Sequence, residues 1–421
     1  MTDRELARRP HVLAVGIIAL EFAAAVTSFV AATLLPVIAA DLDARDRLGL
    51  LIAGSTLGLF VALALASRVL RRLGARGTLV VGMLAYLGGL ALAATAGNAW
   101  TFAIGQFANG LAGGLLAVFG ISSAIRHLDE RMRVRVVAAS SAMWLVPALV
   151  GPAATLGLAH LAGWRWTLLL PVPFVLFGRL LIVRTVRDEP PEPAAAHPLG
   201  RTLLIPLGAA AVVLSADWWP PAIAGALVAL AGMITLLPRG TVRLRRGTPA
   251  ALGAMVLFAV GYFGADGLIT VLLTAGYGVS LGQAAIVLSA APLAWAVTSL
   301  LATRFARHFP AAGLGMTALG TSALALGGSF AVALVAWTVA GIGVGLAYPG
   351  LYVRATTAGE GGLTATELAT AVITAECTGQ LLGRAAGGTL SSAGGLVASY
   401  WLFAAVLTGA AIAATRTKRP S

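Results

Sequence analysis

The chain reads as a succession of apolar runs, each near 20 residues long, separated by short polar turns. Crossing a hydrocarbon core about 30 Å thick takes about 20 helical residues. Apolar windows of that length fall at about 12–37, 48–67, 77–97, 99–125, 136–162 and 166–183. Two shorter runs follow at about 202–216 and 222–238, and six more at about 249–275, 283–303, 311–329, 331–353, 368–390 and 396–415. The pattern predicts an all-α integral membrane protein with about fourteen transmembrane helices, arranged as two six-helix halves and an inserted two-helix hairpin.

The polar stretches divide the chain. Arg184 to Arg201, RTVRDEPPEPAAAHPLGR, is rich in Pro and charge and lacks an apolar face, so it reads as a linker. Predicted domains are therefore 1–183, a linker and hairpin at 184–247, and 248–421 with a short tail. The hairpin turns at Asp217-Trp218-Trp219-Pro220-Pro221, whose paired Trp suit a membrane interface. Its first arm has only about 15 residues before Asp217, which leaves a re-entrant or buried hairpin as the alternative to two full crossings. The first run, 12–37, outlasts a signal-peptide core and contains Glu21 and Pro36, so it reads as a retained helix.

Composition sharpens this. The 421 residues are 59% hydrophobic and 11% charged, with mean hydropathy +0.91, whereas a soluble domain carries roughly 25% charged residues. A net charge of +13 would suggest nucleic acid in a soluble protein, but the basic residues sit in loops. By count about 25 of the 29 Lys and Arg fall on one side of the drawn spans, about three on the other, and one inside. This positive-inside bias explains the basicity without nucleic acid and predicts both termini in the cytoplasm. Arg outnumbers Lys 28 to 1, a composition typical of a GC-rich genome. The single Cys377 excludes an intramolecular disulfide.

Four ionisable residues stand well inside the predicted spans: Glu21, Asp266, Glu376 and Arg384. A charge at the bilayer centre costs about 2.5 to 3.5 kcal/mol, so such groups pair, protonate or face water. Asp266 and Arg384 lie at similar depth from their helix starts and are expected to pair. Glu21 has no equally deep Arg in its half and is the candidate proton-binding carboxylate. Phe22, Phe29, Tyr262 and Phe263 lie near these acids and offer cation–π contact, with core packing as the plain alternative. No Gly-Lys-Ser/Thr phosphate loop and no metal-ligand spacing appears. Neither metal nor cofactor is expected, and no cluster resembles a catalytic constellation.

The basic turn after the second span, Ser67 to Arg76, has a counterpart at Ser299 to His308, as in transporters built from repeats. With these residues the chain resembles the major facilitator superfamily, specifically its fourteen-helix drug:proton antiporter branch. The family's gating loop between the second and third helices is matched by Arg72, Gly74 and Arg76, with Ser67 and Arg71 replacing the family's Gly and Asp. In the fourth span the family's Arg-x-x-Gln-Gly corresponds to Gln106, Asn109 and Gly110, the Arg being lost. The fifth carries an antiporter-type Gly151-Pro152 preceded by Pro147, and Gly163-Trp164-Arg165-Trp166 with Pro171 and Pro173 resembles the signature opening the sixth.

The resemblance implies alternating access, Glu21 and Asp266 on helices that line the cavity, and proton-coupled export of lipophilic, cationic small molecules. A facilitator or importer of a polar metabolite is the alternative, and a transport-inactive receptor or assembly partner the second. Expected partners are a small-molecule substrate, protons and the lipid bilayer, with a monomer as the working state.

Overall fold

The structure, a computed structural model, describes residues 3–127, 145–185, 199–215, 218–301, 309–356, 365–392 and 395–417. Most of the linker, most of the second basic turn, and Asp217 lie outside the described residues, as do the side chains of Glu21, Ser67 and Arg71. Among the described residues there are helices and turns and no strand. The apolar runs leave a chain no choice in lipid, because a helix satisfies its own backbone polar groups.

The helices are α1 (Asp3–Asp41), α2 (Leu48–Ala94), α3 (Ala99–His127), α4 (Leu145–Thr167), α5 (Val172–Thr185), α6 (Leu199–Leu214), α7 (Trp219–Leu236), α8 (Thr248–Val271), α9 (Leu281–Leu301), α10 (Pro310–Ala325), α11 (Phe330–Thr356), α12 (Ala365–Ser392) and α13 (Leu396–Thr415). Seven stretches of these are long and apolar enough to cross a membrane, among them Val12–Asp41, Thr248–Gly276 and Phe330–Thr356. Shorter apolar helices cover Val172–Ile182, Leu203–Leu214 and Pro220–Leu236.

Two glycines reset the chain direction. Gly74 (φ 67°, ψ 179°) splits α2 into two helices, a positive-φ extended conformation open essentially to glycine alone. Thr78 Oγ1 donates to Gly74 O at 2.7 Å and starts the second part. Gly163 (φ 83°) breaks α4 in the same way. The sixth span therefore begins at Val172 rather than at 166: the intervening residues form the end of α4 and a turn through Pro171.

The chain separates into two compact units, residues 1–38 with 54–199 and residues 39–53 with 200–421. In the first unit, Leu13, Ala14 and Ile17 of α1 pack with Leu79, Leu116 and Ile182. A second cluster joins Ala23, Tyr86, Leu90, Ala112 and Val175. In the second unit α8 is buried along nearly its whole length, with α12 and α13 against it. α8 ends in a π-helical turn, Leu272–Gly276. Tyr277 follows, its hydroxyl donating to Leu324 O at 2.6 Å; burial pushes that phenol above its ordinary value.

Candidate functional site

In the second unit small residues let two charged helices meet. A methyl on Gly379 of α12 would stand 2.5 Å from Val256 O of α8, and one on Gly383 would strike the backbone of Val260. Such close approach is what small residues give helix pairs in membranes. It carries Arg384 over α8: a methyl on Gly267 would lie 3.6 Å from Arg384 Cγ and 3.9 Å from its Nε. Asp266, the neighbour of Gly267, is electrostatically coupled to Arg384. Tyr400 of α13 braces this level, its hydroxyl donating to Ala265 O at 2.6 Å.

Beside these charges lies an aromatic cluster. Phe258, Tyr262 and Phe263 of α8, Trp295 of α9, and Trp337, Tyr348 and Tyr352 of α11 form a continuous series with ring centroids 5.2 to 6.4 Å apart. Tyr262 stacks on Trp337 at 5.5 Å and 6°, and both are at most 2% exposed. Among the described residues the Tyr262 hydroxyl and Trp337 Nε1 are buried without a hydrogen-bond partner, a state that calls for an explanation in a folded protein.

The cluster has an acid at each end. Asp266 lies one helical turn beyond Tyr262 and acts on it electrostatically. Glu376 of α12 is hydrogen-bonded to Tyr348, whose ring meets Trp295 at 5.2 Å. Glu376 and Arg384 are eight residues apart (384 − 376), about 12 Å along the helix axis. The second unit thus holds two acids at different levels, one coupled to Arg384, with aromatic faces between them.

In the first unit the motif residues serve packing. Gly110 of α3 lies against the backbone of Ser55 in α2 so closely that no Cβ fits. Gln106 and Asn109 are 6% and 5% exposed, and Gln106 Cβ would stand 3.3 Å from a methyl on Gly54. On α4, Pro147 and Pro152 are buried, and a methyl on Gly151 would lie 3.6 Å from Phe29 Cβ of α1. Phe22 meets Phe174 of α5 edge to face at 5.0 Å. Arg72 and Arg76 are exposed on either side of the break at Gly74. Arg165 donates to Ala96 O at 3.1 Å and covers the Trp164 ring at 4.3 Å. That ring in turn meets Phe102 at 6.2 Å. The Gly163-Trp164-Arg165 signature is a clamp between α4 and the connection of α2 to α3.

Sequence reasoning singled out Asp266, Glu376, Arg384 and Tyr262, which the fold gathers in one unit. Missed were Trp295, Trp337 and Tyr348, spread over α9 and α11 and unremarkable in apolar runs. Missed as well was Arg179 of α5, only 5% exposed. One cation among the apolar residues of 166–183 leaves the window apolar, which hid it.

Two units of apolar helices that bury ionisable side chains and aromatic rings define a polytopic membrane carrier. The family comparison agrees: residues 17–365 match the model of the Major Facilitator Superfamily, and the chain belongs to that family. It is a multi-pass transporter, not an enzyme. It is 26% identical to a Mycobacterium tuberculosis protein named "Probable multidrug-efflux transporter", over 94% of this chain and 92% of that one. Its fold is similar to that of a POT family transporter (TM-score 0.70, 12% identity, 97% of each chain). It is also similar to a D-xylose-proton symporter (TM-score 0.65, 15% identity, 96% of this chain and 95% of the other).

Proposed function

We propose that the protein exports lipophilic, cationic small molecules in exchange for protons across a bacterial cytoplasmic membrane. In this reading about fourteen helices cross the membrane and both termini lie in the cytoplasm. The observation that carries it is the aromatic cluster of the second unit with Glu376 and Asp266 at its ends. Aromatic faces attract a cation by about 0.5 to 2 kcal/mol each, more as water is excluded, and an acid supplies the counter-charge. The mycobacterial relative named for multidrug efflux supports the same substrate class.

Glu21 of α1 is the main proton-binding carboxylate in this mechanism. Protonation in the outward-open state displaces the substrate, and release of the proton inward restores an anionic site. The test is transport of a lipophilic cationic dye by everted vesicles under an imposed pH gradient. Glu376→Gln and Trp295→Ala are each expected to weaken dye transport about tenfold, equivalent to roughly 1.4 kcal/mol, while Glu21→Gln abolishes its response to the pH gradient. Unchanged transport in Glu376→Gln and Trp295→Ala would remove the cluster from substrate binding. A pH response surviving in Glu21→Gln would remove Glu21 from coupling. Uptake of a polar metabolite without dye export would favour a facilitator or importer.

A further inference from the structure

Arg179 is a buried cation for which the transport mechanism above has no use. On α5, Val175, Gly178, Arg179 and Ile182 turn inward, whereas Leu176, Phe177 and Leu180 are 40 to 54% exposed. Val175 belongs to one apolar cluster of the first unit and Ile182 to the other, so the guanidinium stands on the stripe between them. It is 5% exposed, and its Nη1 has no hydrogen-bond partner among the described residues. Leaving a buried guanidinium nitrogen without an acceptor is costly, so such groups are paired or serve a function.

The surrounding helices offer almost no counter-charge. Between Leu48 and Ala94, Ala99 and His127, Leu145 and Thr167, and Val172 and Thr185 the sequence contains no Asp or Glu. On α1 the acid nearest in sequence to the contact with α5 is Glu21. A methyl on Gly178 would lie 2.9 Å from Gly16 O, 3.1 Å from Ala19 Cβ and 3.3 Å from Leu20 Cδ2, which sets Arg179 beside the Gly16–Leu20 stretch of α1. Glu21 follows Leu20 in the sequence, and its side chain lies outside the described residues.

We propose that Arg179 anchors an anion-binding site in the first unit, one that takes a carboxylate or phosphate group. The residual exposure gives the ligand its access, and the planar guanidinium with a free Nη1 suits an oxyanion. The inference stands on the first unit alone and does not depend on the cationic-substrate reading of the second. The anion is either a group on a soluble amphiphile or the headgroup of an anionic lipid.

The test uses the full-length protein purified in neutral detergent. Octanoate and inorganic phosphate are titrated by intrinsic fluorescence, and retention of phosphatidylglycerol against phosphatidylcholine is read by native mass spectrometry. The wild type is expected to bind at least one of these anions more weakly as salt rises. Arg179→Gln is expected to lose about tenfold or more in affinity, with Arg179→Lys between, as for a charge-assisted hydrogen bond. Response to octanoate or phosphate alone assigns the site to a soluble group, and response to phosphatidylglycerol alone assigns it to lipid. In anion-free detergent Arg179→Met is expected to melt no lower than the wild type, because it removes a buried guanidinium whose Nη1 has no acceptor among the described residues. Binding of no anion, or equal binding by Arg179→Gln, overturns the proposal. So does a lower melting temperature of Arg179→Met, which would mean that the protein itself holds the guanidinium.

Discussion

Asp266 and Arg384 set the terms at the residue scale, because each is an ionisable group on a helix in an apolar setting. Their coupling through the α8–α12 contact means that neutralising one leaves the other without its counter-charge. Asp266→Asn or Arg384→Gln alone is expected to destabilise the protein by about 3 kcal/mol, the usual cost of orphaning a buried charge. The double variant is expected to recover part of that loss, read as a melting temperature above the value additivity predicts. Strict additivity would mean that the two charges do not sense each other. These residues were legible in the sequence because a charge in an apolar run is conspicuous. Their tyrosine neighbours were less so. Tyr348 matters through its hydrogen bond to Glu376 and Tyr262 through its stack on Trp337, and only packing creates either relation.

At the scale of elements, the period and length of the apolar runs located nearly every helix, since lipid leaves the backbone no other way to satisfy itself. Boundaries failed where a single residue governed them. Gly163 breaks α4, which then runs on to Thr167 past the residue read as a span start, and Gly74 keeps two helices distinct where the sequence alone suggested a loop. Which glycines touch a neighbour was also illegible, because 51 of them are scattered along the chain. Gly383 and Gly315 separate the cases. A Cβ at Gly383 collides with the Val260 backbone, while one at Gly315 of α10 meets nothing within 4 Å. Gly383→Leu is therefore expected to cost about 3 kcal/mol or more by forcing α8 and α12 apart, and to lower dye transport with it. Gly315→Leu is expected to melt within a few degrees of the wild type. Equal melting of the two would mean that the α8–α12 contact is not tight in the membrane.

For the whole molecule the basic residues carry the argument that helix packing cannot make, because packing inside each unit is indifferent to which side of the membrane faces the cytoplasm. Arg and Lys in short loops resist translocation, so their bias sets orientation. Arg68, Arg71, Arg72 and Arg76, then Arg126, Arg131, Arg133 and Arg135, then Arg184 and Arg187, then Arg239, Arg243, Arg245 and Arg246 recur after every second run. The shorter hairpin of α6 and α7 decides whether this alternation holds, for an odd number of crossings there would place every later cluster outside. Its tip at Trp218 is 68% exposed, and its two arms, Leu203–Leu214 and Pro220–Leu236, are shorter than a usual crossing. In a Cys377→Ser background, Ala195→Cys in the linker and Trp218→Cys at the tip are expected to react with a membrane-impermeant maleimide from opposite faces of sealed vesicles. The linker reacts in everted vesicles and the tip in right-side-out ones. Reaction of both from the cytoplasmic face would make the hairpin re-entrant, reduce the crossings to twelve, and leave the later basic clusters inside all the same. Reaction of Ala195→Cys from the outer face would instead overturn the orientation itself, and with it the direction in which Glu21 is proposed to pass its proton.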